Sequence, residues 1–492
     1  MRNIALTFLG CFTILAACSN SDDAEKPVTP VPTGDVTIYA TTSSLTRDLT
    51  RDAVNFSSKD NLAPTSITLN PTEQYQTMDG FGAAITGATC FNLLQMKPED
   101  RHAFLTETFS DDKGFGFSYI RISIGCSDFS LSEYTCCDTK GIEHFALQSE
   151  EKDYILPILK EILSINPSIK VIAAPWTCPK WMKVKSLTDL TPLDSWTNGQ
   201  LNPAYYQDYA TYFVKWVQAF NAEGIDIYAV TPQNEPLNRG NSASLYMSWE
   251  EQRDFVKTAL GPKFKTAGLA TKIYAYDHNY DYSDIATEKN YPGKMYEDAT
   301  ASQYLAGAAY HNYGGNREEL LNIHKAYPEK ELLFTETSIG TWNSGRDLSK
   351  RLLEDMKEVA LGTINNWCRG VIVWNLMLDN DRAPNREGGC QTCYGAVDIS
   401  NSDYKTIIRN SHYIIAHLSS VVKPGAVRIG ASGYADSNIM YSAFENPDGT
   451  YAFVLMNNNE KTKKITLSDG KRHFAYDVPG KSVTSYRWAK SE

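Results

Sequence analysis

The chain has no surplus of positive charge, no glycine-rich phosphate loop and no second pair of metal-spaced cysteines or histidines, and each absence removes a class of function. Lys and Arg number 47 against 58 Asp and Glu, a formal net charge of −11, and no basic stripe offsets it locally. A nucleic-acid partner is therefore not expected. Without a Gly-rich fingerprint between a strand and a helix, an open, doubly wound nucleotide-binding sheet loses its main support. Cys390-x-x-Cys393 has no companion CxxC and no His pair at ligand spacing, so it reads as a local disulfide or two free thiols, and no metal or cofactor is assigned. Long apolar runs are missing too: residues 4–17 are too short to cross a bilayer as a helix. At 42% hydrophobic and 21% charged, disorder and fibrous classes are excluded, and 492 residues suffice for two domains or one large one with an appendage. What is plentiful is aromatic: 29 Tyr, 19 Phe and 9 Trp make 12% of the chain. Core packing accounts for most of these rings, but flat rings also stack on the C–H faces of sugars.

Residues 4–17 follow a single positive charge at Arg2 and have the length of a secretory apolar segment. They end in Leu15-Ala16-Ala17-Cys18, which resembles a bacterial lipobox, with Cys18 lipidated and exposed as the mature N-terminus; ordinary cleavage after small residues is the alternative. The acidic stretch 19–25 is similar to the surface-export tag of bacterial lipoproteins. The expectation is an exported lipoprotein of the outer membrane, exposed at the cell surface or facing the periplasm, touching the membrane through its lipid only. Residues 1–17 are then leader and 18–34 a tether, stiffened by the Pro/Thr-rich piece 26–34. Export to an oxidising compartment permits disulfides among the eight cysteines that follow Cys18.

From residue 76 to 423 apolar runs of strand length alternate with longer amphipathic stretches, the pattern of repeated βα units. Eight candidate strands start these units: 80–86, 117–124, 170–175, 227–232, 272–276, 307–311, 331–335 and 370–375. Helices are expected at 151–165, 205–222, 250–266, 350–367 and 405–422. Eight strands close a (β/α)8 TIM barrel. Beyond Pro424 period-two strands return, at 439–444, 451–456, 464–467 and 482–488. A domain of 424–492 is small to stand alone, so the β-leaning segment 35–75 is expected to complete it as a β-sandwich built from both ends of the chain, with the barrel inserted between them.

In such a barrel the chemistry gathers where strands end. The fourth strand runs into Thr231-Pro232-Gln233-Asn234-Glu235-Pro236 and the seventh into Thr335-Glu336-Thr337, placing one glutamate from each of two opposed strands at the mouth. Carboxylates from opposite sides can face each other at the ~5–5.5 Å of a retaining glycosidase or at the wider inverting spacing. A lone Glu after a strand is usually a solvated loop residue or an ion-pair partner. Asn234 beside Glu235 shifts that balance, because an Asn next to the acid can bond a sugar 2-hydroxyl in the transition state.

The motifs around these glutamates resemble glycoside hydrolase family 30, the family of glucosylceramidase and endo-β-1,6-glucanase. The likeness runs through Asp79-Gly80-Phe81-Gly82-Ala83-Ala84, Arg121, Cys126-Ser127-Asp128-Phe129-Ser130, Pro175-Trp176-Thr177-Cys178-Pro179, Asn234-Glu235-Pro236, His311-Asn312-Tyr313, Glu336 and Trp374-Asn375-Leu376, in order along the barrel. The resemblance implies a retaining double displacement, with Glu336 as nucleophile and Glu235 as general acid, then base. It implies that Arg121 and Tyr313 contact the nucleophile; for Arg121 a structural ion pair is the competing role. Asp128, Trp176, Asn234, His311, Trp374 and Asn375 would line the subsite of the sugar cleaved at its anomeric carbon. Chemically, the acid needs a raised pKa and the nucleophile a cation that keeps it ionised.

After the acid, residues 237–246 are closer to the β-1,6-glucanase branch, and Tyr246, Trp342 and Arg382 are candidates for neighbouring subsites. The expected activity is hydrolysis of β-1,6-linked glucan within the chain, by a monomer without cofactor. An exo-acting β-glucosidase or glucosylceramidase-like hydrolase is the alternative enzyme. A noncatalytic glycan-binding lipoprotein is the alternative from another class, but a binder has no use for two opposed strand-end glutamates.

Overall fold

The computed structural model describes residues 32–57, 62–405 and 407–491. Cys18, the leader and most of the tether lie outside the described residues.

Eight parallel strands form the barrel: Gly80–Ala83, Tyr119–Ser123, Lys170–Ala174, Ala229–Val230, Lys272–Asn279, Leu305–His311, Glu331–Glu336 and Cys368–Val373. They are hydrogen-bonded in ring order, and the first and second strands close the ring through a parallel bridge between Ala84 and Arg121. That seam is tight. A Cβ at Gly82 would lie 1.8 Å from the carbonyl oxygen of Tyr119, so closure there requires glycine. All eight expected strands are present; the fourth is shorter than anticipated and the fifth continues past Tyr276.

Alternation along each strand sends every second side chain inward. One interior layer is apolar and phenolic: Tyr119, Ile172, Ala229, Tyr274, Ala309, Leu333 and Ile372 pack as one cluster. Two residues on, toward the strand ends, the same inward positions hold Arg121, Thr231, His311, Thr335 and Trp374. The apolar layer thus floors a polar one.

Outside the ring, two of the expected long helices carry a widened π-turn just before a proline. Glu151–Ile155 precedes Leu156–Ile165, which has Pro157 in its first turn, and Val256–Leu260 precedes Gly261–Thr266, which contains Pro262. Proline donates no N–H and crowds the preceding turn, and the wider turn accommodates it. The last expected helix, 405–422, is a correction: Ile407–Arg409 is a strand paired with Val397–Ile399, and the helix is His412–Ser419. The β-branched pair Ile407 and Ile408 completes a small sheet with Met377–Asp379 instead of beginning a helical turn. No described helix is long and apolar enough to cross a membrane.

The second unit is a nine-stranded sheet from both ends of the chain. Val36–Thr42 pairs with Ser482–Ala489, and Ser66–Thr77 pairs with both Val427–Gly433 and Lys463–Ser468. Val427–Gly433 and His473–Val478 are strands beyond those anticipated. The strand Thr450–Asn457 explains how the two units hold together. Its Tyr451, Phe453 and Leu455 enter the sandwich core, while Ala452, Val454 and Met456 join the barrel's core. Period-two apolar residues on both faces make one strand the inside of one unit and the contact with the other.

At the same junction His417 is fully buried, its Nδ1 2.9 Å from Ser485 Oγ and its Nε2 2.8 Å from Thr41 Oγ1. One imidazole thus ties the barrel's last helix to a strand from each end of the chain. Burial holds His417 down at about 3, whereas a histidine in the unfolded chain protonates near 6.5. The unfolded state binds more protons between those values, so this group's contribution falls away as pH drops below about 6.5. Replacing His417 by Ala removes both imidazole bonds, leaving Ser485 Oγ only the carbonyl of residue 417 and Thr41 Oγ1 only the Leu49 N–H, and should cost about 2 kcal/mol in denaturant unfolding at pH 7. The loss of stability between pH 6.5 and 4 should be shallower in the variant than in the parent.

Candidate active site

Arg121 is completely buried in the polar layer of the barrel. Its guanidinium donates to Glu336 Oε2 at 2.6 Å, Asp277 Oδ2 at 2.9 Å and Asn234 Oδ1 at 2.7 Å. The rings of Trp176 and Trp374, stacked with centroids 5.0 Å apart, lie 5.0 and 5.3 Å from its carbon. A buried cation is stable only when paired and hydrogen-bonded, and here it is both. The two roles considered for Arg121 coincide: it is an ion pair within the barrel and the cation on Glu336.

Asp277, its second carboxylate, is the functional residue that the sequence reading missed. Tyr276 and Asp277 have φ of 71° and 73°, and the register with the sixth strand shifts between Tyr276 and His278. This bulge turns Asp277 inward out of the simple alternation. There it accepts from Thr231 Oγ1 and Thr335 Oγ1, each at 2.6 Å, and lies 3.0 Å from His311 Nε2. Arg121 and His311 together outweigh burial and hold Asp277 well below the usual carboxylate range. The sequence did carry a signal, a polar pair Asp277-His278 ending an apolar run, the same kind that picks out Glu235.

Glu235 follows the short fourth strand with φ of 45°, and its N–H donates to Asp277 O at 3.0 Å. A left-handed conformation is costly for a residue with a Cβ and survives where the surroundings fix it. Its Oε1 lies 3.3 Å from His311 Nδ1, and its Oε2 accepts from Asn238 at 2.8 Å and Asn241 at 3.1 Å. Across the mouth, Glu336 ends the seventh strand, and its Oε1 accepts from the Tyr313 hydroxyl at 3.0 Å. The Tyr313 ring is 42% exposed while its hydroxyl reaches down into the site. Carboxylate oxygens of Glu235 and Glu336 and a nitrogen of His311 lie within 4.8 Å of one another. Three such groups are close enough to hold a metal ion, but His311 already faces a carboxylate with each nitrogen. An oxygen-to-oxygen approach this close suits a retaining pair, whose carboxyl groups stand ~5–5.5 Å apart, better than the ~6.5–9.5 Å of an inverting one.

The charges are not divided as the sequence reading expected. Burial pushes Glu235 up, but His278, the hydrogen bond and charge of His311, and Asn238 outweigh it and hold Glu235 at about 2. Burial alone would lower His311 as well; Glu336, Asp277 and Glu235 instead raise it to about 9. His278 is kept at about 4, chiefly by burial, so at neutral pH it is uncharged and His311 is the cation beside Glu235. Glu336 is raised, by burial first and then by the charges of Glu235 and Asp277, against the pull of His311 and Arg121. In the free site the mobile proton therefore sits on His311, one 3.3 Å contact from the acid's oxygen.

The remaining anticipated residues separate into two groups. Asp128, Trp342 and Trp374 line the same cleft of about 270 Å³ as Glu235, Tyr313 and Glu336. Asp128 has a buried oxygen without a hydrogen-bond partner among the described residues, and burial with the nearby Glu336 and Glu235 raises it to about 8. Trp176 lies behind Trp374 and is 1% exposed. Asn375 is pinned, its Oδ1 accepting from Thr86 at 2.8 Å and Thr89 at 2.6 Å. Tyr246 is half-buried beneath Arg239, whose guanidinium carbon is 3.5 Å from the ring centroid, and is not among the residues lining the cleft. Arg382 donates to Gln391 O at 3.1 Å and holds its own loop. Arg386 does more: it bonds Ser127 O at 2.7 Å, Glu133 at 3.2 Å and Ser242 O, fastening three loops at the rim. Cys390 and Cys393 are joined in a disulfide that lines the cleft, which decides between the two readings of that pair.

A closed (β/α)8 barrel with two glutamates facing each other at its mouth, one on an arginine and a tyrosine and the other on a histidine, is the constellation of a retaining glycoside hydrolase. The relatives agree. Residues 78–422 match the glycosyl hydrolase family 30 TIM-barrel domain and residues 425–486 the glycosyl hydrolase family 30 beta sandwich domain, and the chain belongs to that family. It is 32% identical to the endo-1,6-beta-D-glucanase BGN16.3 of Trichoderma harzianum over 84% of each chain. It is 29% identical to the putative glucosylceramidase 4 of Caenorhabditis elegans over 91% of this chain and 87% of that one. Among solved structures, the endo-beta1,6-glucanase BT3312 superposes with a TM-score of 0.92 at 88% identity, covering 93% of this chain and 100% of that one.

The shared proton gives a test. Replacing His311 by Asn removes its holder, so kcat/KM should fall at least about tenfold and the alkaline limb of its pH profile should move to lower pH. A uniform loss with an unmoved limb would leave His311 only a packing role.

Proposed function

We propose that this family 30 hydrolase cleaves β-1,6-linked glucan within the chain, with net retention at the anomeric carbon. The approach of the Glu235 and Glu336 carboxylates to within 4.8 Å carries the mechanism. The substrate follows from two relatives, at 32% and 88% identity, both named as endo-1,6-glucanases.

In the first step Glu336 attacks the anomeric carbon as the bond to the leaving oxygen breaks, and Glu235 delivers a proton to that oxygen. The proton comes from His311 through its contact with Glu235 Oε1. A sugar filling the cleft displaces water, and loss of solvation favours neutral Glu235 and neutral His311 over the charged pair. Arg121 and the Tyr313 hydroxyl hold Glu336 in line for attack. Once Glu336 is an ester its charge is gone, Glu235 ionises more easily and takes a proton from the incoming water. That water's oxygen bonds the anomeric carbon and frees Glu336.

Exo-acting β-glucosidase or glucosylceramidase-like cleavage is the second reading, favoured by the likeness to the nematode protein. The cleft's flank at Trp342, which is 52% exposed, supports internal cutting instead. A single chain supplies every group of the site, in keeping with a monomer. The apolar segment 4–17 and Ala16-Ala17-Cys18 support lipidation at Cys18 and placement on the outer membrane. Fatty-acid labelling that survives Cys18→Ala would refute that anchor.

Glu336→Ala should abolish turnover of pustulan, a β-1,6-glucan, and azide should restore part of it as a glycosyl azide of inverted configuration. Glu235→Gln should lower kcat on native glucan by about 100-fold or more while sparing aryl glycosides with good leaving groups. Equal losses on both substrates would reduce Glu235 to a structural residue.

A further inference from the structure

Past Trp342 lies a second cavity, of about 400 Å³, larger than the catalytic cleft. Tyr313, Ser338 and Trp342 line both, so the two are parts of one groove with the indole as partition. Asn316, Arg351, Glu354 and Asp355 form the far wall.

The partition is built, not incidental. A Cβ at Gly340 would lie 1.8 Å from the Trp342 ring, so glycine lets the indole lie against the backbone there. The turn Thr341–Asn343 is closed by Gly340 N donating to Asn343 Oδ1 at 2.9 Å. Ile339–Gly340 pairs with Cys393–Tyr394, and the Cys390–Cys393 disulfide closes that loop on itself. A large ring half in water on so constrained a turn is suited to stacking against a flat ligand face.

The far wall selects the ligand's chemistry. Arg351 is engaged by Glu354 at 3.2 Å and by Asp355, and Arg317 by Glu358, so the cations are already paired and an anion finds none free. These pairs still present donors and acceptors, which suits a neutral polyol. The Tyr280 hydroxyl, on a residue 4% exposed that lines the cavity, has no hydrogen-bond partner among the described residues.

We propose that this cavity is a further glucosyl subsite, in which a unit of the glucan held in the catalytic cleft stacks on Trp342 and bonds Glu354 and Arg351. The assignment rests on the β-1,6-glucanase reading and adds where the chain goes beyond the scissile bond.

The test measures kcat/KM across β-1,6-linked gluco-oligosaccharides of two to eight units for the parent, Glu354→Ala and Glu354→Trp. Glu354 is an exposed helix position, so neither variant disturbs the core. The ratio of kcat/KM for the longest to the shortest cleaved oligosaccharide should fall about fivefold to tenfold in Glu354→Ala, the scale of one ordinary hydrogen bond at a solvent-exposed site. It should fall at least as far in Glu354→Trp, which fills the cavity. A ratio equal to the parent's in both variants overturns the subsite and leaves the glucanase reading standing. A parent that cleaves none of these oligosaccharides overturns that reading, and the subsite with it.

Discussion

One buried cation organises this protein's chemistry. Arg121, without any exposed surface, meets Glu336, Asp277 and Asn234 at once. Removing it would strand two carboxylates in a water-poor interior, at a cost of several kcal/mol. Each contact also performs a positioning task. Glu336 is aimed at the cleft, Asn234 fixes the backbone that carries Glu235, and Asp277 passes the arginine's influence to His311 and so to the acid. The nucleophile and the acid are therefore two ends of one hydrogen-bonded network, and the apolar layer of Tyr119, Tyr274 and Leu333 beneath it keeps its field from being screened.

That network sets the site's proton inventory. Four carboxylates, Asp128, Glu235, Asp277 and Glu336, stand around two cations, Arg121 and His311. Asp277 is committed to ionisation by its partners, whereas Asp128, pushed up to about 8, is mostly protonated at neutral pH. The exchangeable proton is left to His311 and the glutamates. Glu336 is raised in the free site and Glu235 lowered, the opposite of the working division, because the histidine stands beside the acid. A proton poised one hydrogen bond from where it is used lets substrate entry, through desolvation, complete the catalytic state.

Much of this could be read from the chain. Barrel strands such as Lys170–Ala174 and Glu331–Glu336 are apolar runs with polar ends, and a run of that kind followed by Asn234-Glu235-Pro236 is legible because barrel sites form at strand ends. The terminal strands were legible through alternation, as in Thr450–Asn457. What escaped depended on tertiary context. The bulge that turns Asp277 inward breaks the alternation that sequence reading assumes, and Val427–Gly433, rich in glycine, alanine and serine, has little intrinsic strand preference. Ile407–Arg409 is a strand because Val397–Ile399 lies beside it, a neighbour no local pattern reveals. Protonation states were the least accessible, since they depend on which charges fold to within a few ångströms of one another.

The decisive observation for this account is the anomeric configuration of the first product, followed by proton NMR in the opening minutes of glucan hydrolysis. Glutamate oxygens within 4.8 Å of each other suit displacement twice at the same carbon, so the β-anomer of the new reducing end should appear first and the α-anomer only through mutarotation. An α-anomer formed first would mean a single displacement by water, and the role assigned to Glu336 as nucleophile would be wrong.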